Sequence, residues 1–295
     1  MKKKNAAVSA IFVLAAAVMW GSIGIFLRRL QAAGLSSIEV LQTRATTGFV
    51  FTGVFLLLFK RGAFRIRLKD LWCFLGTGVG ALFLTSYFYF QGISLSSMAV
   101  MAALLYTAPA FVIILCRFLF REKLTKAKLL AILMTLLGVI LVSGVGTDMA
   151  ISLKVLLYGL GSGFCYCMYS VYSRFAIERD YDTWTITFYT MLFCAMACAA
   201  FCPWPHFCAV LCAEPTLIGW GFANGLVTAF GAFGLYTLGL SGMQTGSAAL
   251  TASLEPVAAT VFGAALFHET VSLWQSIGIV LVLGGIAAVA LWHKE

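Results

Sequence analysis

The sequence predicts an all-α polytopic membrane protein with ten transmembrane helices arranged as two inverted five-helix repeats. Three observations carry that reading. Of 295 residues, 62% are hydrophobic and 11% charged, with a mean hydropathy of +0.98, which is more apolar surface than a water-soluble core can bury. The apolar residues fall in runs of about 18 to 22, the length of single helical spans rather than of the short alternating segments of a barrel. The second half also repeats the first. At an offset of 147 residues Tyr89 falls on Tyr236, Gly92 on Gly239, Ser94 on Ser241, Pro109 on Pro256 and Glu122 on Glu269; an offset of 146 pairs Trp20 with Tyr166 and Arg28 with Arg174. Five spans per copy is an odd number, so copies at residues 1–147 and 148–295 cross the membrane in opposite senses.

In chain order the spans are expected at residues 6–27, 38–59, 70–90, 97–116 and 126–144, then 154–174, 183–202, 217–237, 246–267 and 273–292. Lys2, Lys3 and Lys4 precede the first run as in a signal peptide, but the run is long and lacks a cleavage site, so it reads as a retained helix. With a cytoplasmic N-terminus, 16 basic residues lie on the inner side: Lys2–Lys4, Lys60, Arg61, Arg65, Arg67, Lys69, Arg117, Arg121, Lys123, Lys126, Lys128, Arg174, Arg179 and Lys294. The outer side holds Arg28, Arg29 and Lys154, and Arg44 alone falls inside a span. The positive-inside rule thus places both termini in the cytoplasm of a multi-pass protein of the cytoplasmic membrane. The net charge of +9 reports topology and not a nucleic-acid partner. Most of the nine cysteines lie in spans as packing residues, and Cys208 and Cys212, in an expected external loop, have a spacing that permits pairing without requiring it.

Glu255 lies about nine residues into span 9, where a carboxylate costs about 2.5–3.5 kcal/mol unless it faces a cavity or a partner. Pro256 follows it, removing a backbone donor and freeing the carbonyl near Ala252. A carbonyl opened beside a carboxyl group can take a cation, a substrate amine or a proton, so Glu255 and Ser253 are candidate substrate-binding residues. The alternative is a protonated acid that hydrogen-bonds across helices for packing. Pro109 occupies the matching place in span 4 beside Ala108, so the kink is duplicated while the charge is not; Pro109 and Pro256 are candidate hinges. Arg44 enters span 2 about six residues deep. It either contacts a substrate carboxylate, or snorkels outward and pairs with a carboxylate such as Glu39.

Aromatic residues bunch in TSYFYF, with Tyr87, and in FCYCMYSVY, with Tyr166 and Tyr169. Tyr166 and Tyr169 share a face at i, i+3 and with Trp20 and Tyr106 form a candidate aromatic wall, suited to cations or flat apolar groups, with Tyr87 a further candidate substrate contact; ordinary packing is the competing role for each one alone. Asn224, inside span 8, needs hydrogen-bond partners and is a further candidate contact. Glycines four apart, as in Gly159-x3-Gly163 and Gly221-x3-Gly225, favour close helix approach. Glu122 and Glu269 precede Thr125 and Ser272, which can cap the next helices, and read as turn residues.

Enzyme chemistry has no visible basis: His268-Glu269 lacks the second histidine of HExxH, and no Walker A motif is present. No lysine within a span can carry a retinal Schiff base, and no cofactor or metal site is expected. A channel-like pore remains an alternative, without a recognisable filter.

The order of segments resembles the EamA-type modules of the drug/metabolite transporter superfamily. The likeness rests on the Trp-Gly of VMWGSIGIFLRR, the early arginine of LQTRATTGF, the prolines of LLYTAPAFV and LTASLEPVAA, and the glutamates of FREKLT and FHETVS, over about 280 residues. The second copy departs from it with Tyr166-Cys167 in place of Trp20-Gly21 and Thr190 in place of Arg44. The resemblance implies a central cavity between the halves and movement of small metabolites by alternating access. Within that class the expected substrates are amino acids or related polar compounds, with organic cations or amines as the alternative. Spans 1, 3, 4, 6, 8 and 9 are expected to line the cavity. Membrane lipids are the expected surroundings, and protons or cations are candidate coupling ions.

Overall fold

A computed structural model describes residues 6–96, 98–142 and 152–291; Lys2, Lys3, Lys4, His293 and Lys294 lie outside these. The described residues form eleven principal helices and no strand. In the first half these are α1 (Ala6–Ala32), α2 (Ser37–Phe59), α3 (Leu68–Ile93), α4 (Met98–Leu105 continuing as Ala108–Leu119) and α5 (Lys126–Val142). Then follow α6 (Leu153–Ile177), α7 (Thr183–Phe201), α8 (Trp204–Ala213), α9 (Thr216–Leu240), α10 (Thr245–Ala252 continuing as Leu254–Phe267) and α11 (Leu273–Leu291).

Seven of them, α1, α2, α3, α4, α7, α9 and α10, are long and apolar enough to cross a membrane. The other three expected spans are also helices. α5 is described over 17 residues, up to Val142 where the described stretch ends, and the described apolar stretch of α11 runs to Ala288. α6 is 25 residues long but carries four tyrosines, three serines, Lys154 and Arg174, because much of its surface faces protein rather than lipid. The expected external loop after span 7 holds α8, where Cys208 and Cys212 are free and exposed.

The repeat is visible helix by helix. Each half has one long helix with a π-helical stretch, Gly76–Phe83 in α3 and Gly225–Gly231 in α9. Each half also has one helix broken ahead of its proline, at Tyr106-Thr107 before Pro109 and at Ser253 before Pro256. Proline supplies no N–H to the preceding turn and crowds its carbonyl, which is why the break falls there. The halves interlock by exchange: α1 packs on α9 and α10, α6 packs on α3 and α4, α2 pairs with α7, and α5 with α11.

Small residues make these crossings possible. A side chain at Gly163 would meet the carbonyl oxygens of Leu104 and Leu105 at 2.9 and 3.0 Å, so α6 touches backbone at the break in α4. Gly21 does the same at the break in α10, where a Cβ would lie 3.0 Å from the Glu255 carbonyl oxygen and 2.9 Å from the Ala259 nitrogen. Exposed Leu57, Leu58, Leu133, Leu137 and Val280 give the bundle an apolar exterior suited to lipid. Ser272 and Gln275 form the expected reciprocal cap at the start of α11, with bonds of 2.9 and 3.2 Å.

Candidate functional site

Between the halves lies a cavity with about 460 Å³ of empty space counted out to its open mouth. Its walls come from the six spans expected to line it. α1 contributes Trp20; α3 contributes Ala81, Leu82 and Thr85; α4 contributes Ala108, Pro109 and Val112. α6 contributes Tyr166, Cys167, Tyr169 and Ser170; α9 contributes Phe233 and Tyr236; α10 contributes Ala249 and Ala252. Both helix breaks therefore abut the cavity, and a change of kink angle at either would alter its walls.

The aromatic wall is larger than the sequence indicates. The Trp20 ring lies 5.0 Å from Phe233 and 5.2 Å from Tyr236, and Tyr169 meets Phe233 edge-on at 4.8 Å. Two of the hydroxyls are satisfied: Tyr169 shares a 2.8 Å bond with Thr237, and Tyr236 a 2.7 Å bond with Ser170. By contrast, the buried Trp20 Nε1 and Thr85 Oγ1 have no hydrogen-bond partner in the structure. A buried polar group left unpaired costs about 1–3 kcal/mol, and these two, from α1 and α3, both belong to residues that line the cavity.

Glu255 stands at the first turn after the break in α10, held by the Tyr166 hydroxyl, which donates to its Oε2 at 2.8 Å, with Tyr106 also in electrostatic range. Tyr106 and Tyr166 thus belong to one cluster with Glu255. Arg44 is in electrostatic range of it. Its Nη2 donates to the Thr228 carbonyl at 3.0 Å, its Cζ lies 5.5 Å from the Phe233 ring centre, and its Nε is buried without a partner. The carbonyl it uses lies within the π-helical stretch of α9, Gly225–Gly231.

Several expectations require correction. Arg44 neither snorkels nor pairs with Glu39; the buried Glu39 accepts from Ser36 at 2.7 Å and contacts His206 Nδ1 of α8 at 2.7 Å. Tyr87 is 45% exposed, meets Phe88 edge-on and is not part of the cavity lining. Asn224 is buried, with its side-chain oxygen accepting from Thr228 Oγ1 at 2.8 Å, and it does not line the cavity. Ser253 is also buried; its hydroxyl donates back to the Ala249 carbonyl at 3.4 Å, and it stands ahead of the second segment of α10 without capping it and is not part of the cavity lining. Phe233, Tyr236, Ser170 and Thr85 were not anticipated, although Tyr236 was visible as the repeat partner of Tyr89. The acidic pair Glu122 and Glu269 does more than turn the chain. Glu122 accepts from the backbone nitrogens of Thr245 and Gly246 at 2.7 and 3.2 Å, and Glu269 pairs with Arg28 at 2.5 Å.

A duplicated helical bundle with apolar flanks and an interior cavity between its halves, with the half-buried Glu255 and Arg44 near it but outside its lining, is the architecture of a multi-pass membrane transporter. The chain belongs to the EamA-like transporter family, whose model matches it twice, over residues 7–144 and 153–291; this is a family of transporters, not enzymes, within the drug/metabolite transporter superfamily. It is similar to an uncharacterized transporter of Archaeoglobus fulgidus, 29% identical over 204 residues that cover 69% of this chain and 71% of the relative. It is also similar to the uncharacterized transporter YetK of Bacillus subtilis, 23% identical over 261 residues, covering 84% of this chain and 77% of the relative. A solved crystal structure shares the fold at a TM-score of 0.77 with 21% identity, covering 98% of each chain.

Proposed function

We propose that this transporter moves amino acids or closely related carboxylate-bearing metabolites across the cytoplasmic membrane by alternating access, with both termini in the cytoplasm. The observation that carries the reading is the polarity of the cavity. Its floor and sides are aliphatic and aromatic, its unpaired groups are the donors Trp20 Nε1 and Thr85 Oγ1, and a carboxylate, Glu255, adjoins it through Tyr166. An amphipathic zwitterion matches all three features. Its carboxylate accepts from Trp20 and Thr85, its amine is drawn toward Glu255 and Tyr166, and its side chain lies against Leu82, Val112 and Phe233. Arg44, behind Phe233, offsets the charge of Glu255 and orients the wall, while residues 1–147 and 148–295 rock about the breaks at Pro109 and Pro256.

In proteoliposomes, Trp20→Phe and Thr85→Val should each raise the half-saturating concentration of an amino-acid substrate about tenfold or more, the effect of losing one hydrogen bond to a charged group. Maximal rate should change less, because the ring and methyl surfaces remain. Unchanged half-saturation in both variants would remove the proposed carboxylate site. An organic amine without a carboxylate is the second reading, favoured by the aromatic walls around Trp20, Tyr169 and Tyr236. On that reading amines compete for uptake, Thr85→Val leaves their affinity intact, and Trp20→Phe lowers it only modestly through the weaker ring.

A further inference from the structure

The two ends of the bundle carry the same charged residues in different arrangements. At one end Arg174, near the C-terminus of α6, donates from Nη2 to the Leu240 carbonyl at 2.8 Å and to the Met243 carbonyl, and from Nε to Thr245 Oγ1 at 2.7 Å. It thereby ties down the end of α9 and the start of α10. Glu122, from the other half of the chain, caps the same start of α10 through the nitrogens of Thr245 and Gly246. The buried Lys128 joins them, 3.3 Å from Glu122 Oε2 and 2.7 Å from Gln244 Oε1. At the other end the repeat partners Arg28 and Glu269 pair with each other, both about half exposed, and the Arg28 guanidinium lies over Phe267.

We infer that these are two copies of one latch, the Glu122–Arg174 latch fastened in this state and the Glu269–Arg28 latch released. Access alternates as one fastens and the other opens. Inverted repeats exchange conformations when the access side changes, so the fastened end specifies the contacts of the other state. Arg28 leaves Glu269 and donates to the carbonyls of Ile93 and Ser96, the counterparts of Leu240 and Met243. Glu269 then caps the backbone nitrogens of Met98 and Ala99, the counterparts of Thr245 and Gly246. Carboxylate caps and arginine–carbonyl bonds have strict geometry, so each latch is either made or broken. The two are unequal, because the position of Lys128 is held in the second copy by the neutral Gln275. The extra cation favours the fastened state seen here.

The inference rests on the alternating-access reading, and pairs of spin labels test the two separately. One pair, at Leu119 and Gly242, spans the fastened end; the other, at Leu266 and Leu95, spans its counterpart, in protein reconstituted in lipid. The wild type should give a major population with a short first distance and a long second one, and a minor population with the order reversed. Glu122→Gln should raise the ratio of reversed to major population about tenfold, the shift expected when a charge-assisted contact is lost from one state only. Glu269→Gln should lower the ratio of reversed to major population by a similar factor, and the persisting major population also shows that the labelled protein is folded. Two populations that ignore both substitutions would overturn the latch and leave alternating access standing. A single population under all conditions, with transport intact, would overturn alternating access itself. Lengthening of the first distance in Glu122→Gln without shortening of the second would show simple loosening, and would also overturn the latch.

Discussion

Glu255→Gln should reduce uptake driven by an imposed pH gradient about 100-fold or more, corresponding to roughly the 3 kcal/mol at the upper end for a hydrogen bond to a charged group. Glutamine keeps the length of the side chain and an oxygen for the Tyr166 hydroxyl, now 2.8 Å from Glu255 Oε2. It removes the charge that faces Arg44 and the group that can carry a proton. The substitution therefore separates chemistry from packing. If Glu255 serves only to join α6 to α10, glutamine should perform nearly as well and pH dependence should be unchanged; that result would remove the residue from the transport mechanism. If it binds the substrate amine as well as a proton, exchange without a gradient should fall too. If it only couples the proton, exchange should survive.

Gly21→Val should destabilise the folded protein by about 1–3 kcal/mol, the range for overpacking a filled interior. A Cβ there would meet Ala258 Cβ at 2.6 Å, the Ala259 nitrogen at 2.9 Å and the Glu255 carbonyl at 3.0 Å. Two of these are backbone atoms of the broken helix, so no side-chain rotation relieves the contact, and α1 must move off α10. Gly163→Val should behave alike at the corresponding crossing of α6 and α4. Gly24→Val is the control, because nothing lies within 4 Å of its added Cβ. Thermal unfolding in detergent checks the set: midpoints lowered for Gly21→Val and Gly163→Val and unchanged for Gly24→Val. Equal midpoints for all three would contradict the close crossings at the breaks.

How much of this was legible in the sequence depended on whether a feature is local or arises between helices. Pro109 and Pro256 mark their own breaks because a missing N–H acts within one turn, and the buried position of Glu255 follows from its depth in an apolar run. The sequence also selects the six cavity-lining spans, since tyrosines and small residues concentrate there. Tyr87 was grouped by its place in an aromatic run, with no helical phase applied. Thr85 and Tyr87 lie two residues apart in the α-helical segment Leu84–Ile93, about 200° around its axis. With Thr85 lining the cavity, Tyr87 therefore faces away from it.

Arg44 was legible as a buried cation but not by its partner, because the Thr228 carbonyl belongs to another helix. Asn224 has an equally local explanation: Thr228, one turn later, accounts for its oxygen. Phe233 carries no polar signal at all and enters the site only by standing between Arg44 and Trp20. The roles of Glu122 and Glu269 were legible as a recurrence. Their difference was not, because it belongs to the conformation rather than to the sequence.

Solute counterflow tests the central claim most directly. Proteoliposomes would be loaded with an unlabelled amino acid chosen from a mixed amino-acid and amine library by saturable uptake, then diluted into a trace of the same labelled compound with no ion gradient. The account predicts that label rises transiently above its equilibrium level inside the vesicles and then decays, since a carrier whose site faces one side at a time exchanges faster than it equilibrates. Monotonic approach to equilibrium, with flux linear in concentration, would contradict it and identify an open pore.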